Sequence, residues 1–176
     1  VKGILQAREA LGRFHALFEF CETVDTRLLN RRVLESLIKS GAMDTLEARR
    51  AQLYAVIDRA MERAQKHQRE RTSGQHGLFG GKSAQPAEEN GLLPDVEEWP
   101  EHELLANEYA TLGFYISGHP LAKHANRLRD LNVVELGTIE GRRAGEEVAV
   151  AGIVVNIRPM RSRKGDRWAI FTLQDM

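Results

Sequence analysis

A chain of 176 residues with 42% hydrophobic side chains is long enough for one or two packed domains, and that composition predicts a hydrophobic core. Its 25 basic and 25 acidic side chains cancel, so net charge by itself points neither to nucleic acid nor to a membrane. No apolar run approaches the roughly 20 residues that cross a bilayer, no basic-then-apolar leader opens the sequence, and the one cysteine excludes an internal disulfide, which together predict a cytoplasmic protein with no membrane partner.

In chain order, Ile4 to Leu11 reads as a short helix, and Phe14, Leu17, Phe18 and Cys21 form an apolar stripe on a second. Cys21 among those side chains reads as a buried, reduced thiol. Asn30 is the expected N-cap of a third helix, "RRVLESLIKS", with Leu34, Leu37 and Ile38 on one face and Gly41 at its left-handed end. From Leu46 to about Arg69 one longer helical pattern is expected, with Leu53, Val56, Ile57, Ala60, Met61 and Ala64 inward and Arg49, Arg50, Arg59, Arg63 and Lys66 mostly outward.

Residues 71–94 carry no period of either kind and read as a linker. Helix resumes in "EHELLANEYATLGF", with Leu105, Tyr109 and Leu112 on one face, and Pro120 is placed to open another helix through Leu121, Ala125 and Leu128. Then "EEVAVAGIVVNIRPM" and "RWAIFTLQ" alternate as strands around a turn at Lys164-Gly165-Asp166. Alternation puts Trp168 and Phe171 on opposite faces, so one at most stacks on a base, and Phe171 is the expected core residue. Two strands make no stable sheet alone, so this β unit reads as the start of a larger domain. The expected fold is therefore mainly α with a C-terminal β portion.

Charge is uneven along this order. Residues 1–72 hold 14 basic against 10 acidic side chains, residues 83–122 hold eight acids and no Lys or Arg, and residues 153–168 set Arg158, Arg161, Arg163, Lys164 and Arg167 against Asp166 alone. Two basic regions thus flank an acidic one that should avoid phosphate. In the linker, "GQHGLFG" leaves Leu78 and Phe79 without an evident core, either to fold back on the chain or to enter a partner's pocket, where each would be worth about 1.5 to 3 kcal/mol. The acid pairs Glu88-Glu89 and Glu97-Glu98 read as solvated, and the six histidines lack partners at zinc spacing, so no catalytic or metal residue is assigned.

Four stretches in this order, "FEFCETVDTRLLNRRVLESLIKSGAMD", "GQHGLFG", "YATLGFYISGHPL" and "VAGIVVNIRPMRSRKGDRWAIFTLQD", resemble the alpha-subunit family of bacterial DNA polymerase III, the C-family replicative polymerases. The resemblance implies a helix-hairpin-helix module over residues 1–70, a linker with a clamp-binding motif over 71–94, a helical connector over 95–145 and an incomplete OB barrel over 146–176. It departs after Gly3, where the family has a further glycine-containing hairpin before the helix that "ILQAREA" resembles. It implies that Gln75, Leu78 and Phe79 bind a sliding clamp, and that Arg27, Arg31, Arg32 and Lys39 lie by a hairpin that can contact DNA phosphates. The turn "DTRLLN" lacks Gly-x-Gly, so a scaffolding helix pair stands beside that reading. It also implies that Arg158, Arg161, Arg163, Lys164, Arg167 and Trp168 face nucleic acid.

The expected partners are double-stranded primer-template, single-stranded template, a sliding clamp and other replicase subunits. The parent chain would be a DNA-directed DNA polymerase using magnesium held outside these residues. The alternatives are the error-prone paralogue of the family and a non-enzymatic DNA-binding adaptor built from helix-hairpin-helix and OB pieces.

Overall fold

Apolar spacing decides which faces of the helices turn inward, and in the computed structural model, which describes residues 2–73 and 93–175, those faces meet in one core. The chain divides into two units, Val1–Ser117 and Gly118–Met176. The first holds α1 (Lys2–Leu11), α2 (Leu17–Thr23), α3 (Arg31–Lys39), α4 (Arg50–Ala55), α5 (Ile57–Ser73) and α6 (Glu101–Leu112). Leu17, Phe18 and Cys21 of α2, Leu34 and Ile38 of α3, and Leu53, Val56 and Ile57 are all essentially removed from water, each large side chain contributing about 1.5 to 3 kcal/mol. The Cys21 thiol is pushed up to about 12, first by burial and then by Glu22, so it stays protonated.

Asn30 caps α3 as expected, its Oδ1 accepting from the Val33 N–H at 3.0 Å. The helix closes with N–H donors of Gly41 and Ala42 reaching the carbonyls of Ile38 and Leu37, and Gly41 takes a φ of +77° that a side chain would resist. The expected single pattern from Leu46 onward is broken. A 3₁₀ turn spans Asp44–Leu46, and α4 and α5 meet at Val56, whose φ of −108° lies outside the helix region. Before the bend α4 packs on α3, and beyond it α5 packs on both α2 and α3. Arg50, expected outward, is buried.

In the second unit a 3₁₀ turn at Ala122–His124 precedes α7 (Ala125–Asp130), so Pro120 leads into a tight turn before the helix. Strands β1 (Ile153–Arg161) and β2 (Arg167–Gln174) pair antiparallel, with Val155 opposite Thr172, Arg158 opposite Ile170 and Arg161 opposite Arg167. Asn156 and Ile157 therefore bulge opposite Phe171, and Asn156 absorbs the extra residue at a φ of +51°. The turn Ser162–Asp166 closes through Ser162 N–H to the Asp166 carbonyl at 2.9 Å, with Gly165 at a φ of +94°.

None of the described residues of this unit is buried. Phe171, expected in a core, is 53% exposed and Trp168 48%, because no second layer covers either face of a two-stranded ribbon. The protein is thus mainly α with a C-terminal antiparallel β portion. Among the described residues no helix is long and apolar enough to cross a membrane.

Candidate nucleic-acid interface

The turn between α2 and α3 spends its own donors internally. Leu28 N–H reaches the Asp25 carbonyl at 2.8 Å, Leu29 N–H the Thr26 carbonyl at 3.3 Å, and Arg27 N–H the Asp25 carboxylate at 2.9 Å. Arg27 also closes its guanidinium on Asp25 at 2.6 Å. These bonds hold the Asp25 carboxyl down at about 2 and raise the arginine. Arg31 is likewise drawn to Asp58 and to Glu35, which raise its pKa in that order.

Lys39, at the far end of α3, lies 5.4 Å from the centre of the Tyr54 ring. Arg32 alone of the four predicted phosphate contacts is exposed without an ion-pair partner among the described residues. The cleft beside this turn, about 390 Å³, mixes Glu22 and Asp25 with His67 and Arg71. Such a surface favours no strong anion.

The β hairpin is arranged differently. Arg158, Arg161, Arg163, Lys164 and Arg167 are exposed and make no ion pair with any described residue. The one acid of the turn, Asp166, is engaged by the Ser162 hydroxyl at 3.1 Å. Arg161 and Arg167 face each other across the strands, a like-charge pairing that destabilises a ribbon unless an anion sits between them. Paired residues share a face, so Trp168 lies with Met160, Ile170 and Arg158, while Arg161 and Arg167 lie with Pro159, Ala169 and Phe171. Each face therefore joins arginine to a half-exposed aromatic ring. Gln75, Leu78 and Phe79 lie outside the described residues, as do Glu88 and Glu89.

Sequence reasoning missed the most buried charges. The Arg50 guanidinium donates to the Asp44 carboxylate at 2.8 and 2.7 Å and to Glu108 at 2.8 Å. Glu108, 0% exposed, also accepts from Ile116 N–H at 2.7 Å, Ser117 N–H at 3.0 Å and the Ser117 hydroxyl at 2.7 Å. Burial pushes its carboxyl up, but the backbone and hydroxyl donors of Ile116 and Ser117, with Arg50, outweigh that and hold it at about 2. A methyl on Gly41 would fall 2.9 Å from the Arg50 Cζ, which gives that glycine a second reason to be there. Glu98, expected in solvent, accepts from the N–H groups of Arg50 at 2.7 Å and Ala51 at 2.9 Å. Glu98 and Glu108 of the acidic block thus hold their own chain. No group of three or more metal-ligating side chains comes together among the described residues.

Residues 1–53, which include the short turn between α2 and α3, match the helix-hairpin-helix motif family. Beyond it, the whole chain is homologous to one stretch of the proteins named DNA polymerase III subunit alpha. It is 35% identical over 175 residues to that of Vibrio cholerae serotype O1 and 36% identical over 176 residues to that of Escherichia coli strain K12. To that of Neisseria meningitidis serogroup B it is 38% identical over 176 residues. These alignments cover 99 to 100% of this chain and 15% of each relative.

Proposed function

We propose that this chain is the DNA-contacting and clamp-tethering portion of a replicative DNA polymerase III alpha subunit, an enzyme that extends a primer with deoxynucleotides using magnesium held elsewhere in its sequence. The observation that carries the nucleic-acid reading is the contrast between the two basic regions. Arg27 and Arg31 are already paired with carboxylates, whereas Arg158, Arg161, Arg163, Lys164 and Arg167 have none among the described residues. The β hairpin is therefore the principal phosphate-binding element, as the opening of an OB-like barrel that holds single-stranded template. The helical hairpin serves mainly as a scaffold, with Arg32 its exposed cation without an ion-pair partner among the described residues. The replicative reading is favoured over the error-prone paralogue because the relatives above carry the name DNA polymerase III subunit alpha.

Clamp tethering rests on Gln75, Leu78 and Phe79. Replacing both Leu78 and Phe79 with Ala is expected to abolish binding in a titration against purified sliding clamp, since an anchor side chain at a hot spot is worth about 2 kcal/mol or more, a factor of about 30 each. Gln75→Ala should cost less, because a neutral hydrogen bond is worth about 0.5 to 1.5 kcal/mol. Undiminished affinity in the double variant contradicts the clamp assignment. A collapsed thermal melt would instead mean that the pair packs on its own chain.

A further inference from the structure

Residues 93–117 lie on the helices of residues 2–73 as a bound peptide lies on its receptor. Leu93 and Trp99 pack against the core, and Trp99 meets the Tyr54 ring edge-on at 5.4 Å. The Pro94 carbonyl accepts from the Gln52 side chain at 2.9 Å and the Val96 carbonyl from Arg49 at 2.9 Å. The Glu98 carboxylate takes two N–H groups of α4, and Glu108 reaches through the core to Arg50. Apolar anchors, side-chain hydrogen bonds to backbone groups and a buried charge pair are the features that make a separate peptide bind specifically.

We propose that residues 93–117 are a self-sufficient docking segment, held by these contacts and independent of the length of chain that joins them to α5. A connection that contributes nothing beyond tethering costs only its closure entropy, which grows as the logarithm of its length. The stretch that carries Gln75, Leu78 and Phe79 can then engage a partner without unseating the helical module at either end.

The test uses Trp99 as reporter, because Trp168→Phe leaves it the sole tryptophan of the two in the sequence. In that background, about 20 and then about 40 glycine and serine residues are inserted after Gln85. The expected result is an unchanged Trp99 emission maximum and unchanged acrylamide quenching at every length. At native length, Glu98→Ala combined with Glu108→Ala should red-shift the emission and increase quenching. A red shift on lengthening overturns the proposal, because the connection would then be what holds the segment. An unshifted emission in the double variant overturns it too. Should the double variant unfold the module, the length series still decides. Neither arm involves a clamp, so its outcome is separate from that of the clamp titration.

Discussion

Removing the Glu108 carboxylate leaves the Arg50 guanidinium in the core with Asp44 as its remaining counter-charge. Stripping one member from a buried pair costs about 3 to 5 kcal/mol, and the surviving Asp44 contact puts Glu108→Ala near the lower end, about 3 kcal/mol in urea unfolding. Glu108→Gln keeps the shape and should cost less. The carboxyl is held at about 2 in the folded chain against an ordinary 4.5, so the stability it contributes is complete above pH 4.5 and is lost as pH falls toward 2. Across that window the unfolding free energy should fall less steeply in Glu108→Gln than in the parent, and equal slopes would contradict the ionised pair. None of this was legible from Arg50 itself: the sequence surrounds it with charge and an apparent helix face, and its partner stands 58 positions away. Glu108 was equally hidden, because the expected stripe of Leu105, Tyr109 and Leu112 passes over it, whereas in the fold Leu105 and Glu108 are the buried residues of α6 and Tyr109 and Leu112 are only partly buried.

At the scale of elements, local signals carried well where one neighbour decides the outcome. Asn30 before an amphipathic run is enough to start α3, and Asn30→Ala should lower stability by about 1 kcal/mol in chemical denaturation by freeing the Val33 N–H. A cost near zero would mean that water replaces the cap. The break at Val56 was not legible, because Leu53, Val56, Ile57 and Ala60 keep helical spacing through it. The hairpin turn around Gly165 was readable from glycine in a charged stretch. The bulge at Asn156 was not, since it depends on the register with β2.

At the scale of the whole molecule, composition hid two basic regions whose cations are paired differently. Counting charges ranks the helical module and the β hairpin alike at +4. Ion pairing leaves that net charge unchanged, but it ties up Arg27 and Arg31 in the first, while Arg158, Arg161, Arg163, Lys164 and Arg167 of the second make no ion pair with any described residue. The family resemblance was legible because three long stretches and one short motif keep their order, while the acidic stretch between the basic regions is explained by Glu98 and Glu108, which hold residues 93–117 on the core. The measurement that tests the nucleic-acid assignment most directly is the salt dependence of single-stranded DNA binding, followed by fluorescence anisotropy, for the parent chain and for Arg161→Ala/Arg163→Ala/Lys164→Ala. Each phosphate contact on a single strand contributes about −0.7 to the slope of log affinity against log salt, so the triple variant should bind more weakly with a slope flatter by about 2. A slope equal to the parent's would remove the β hairpin from the binding surface.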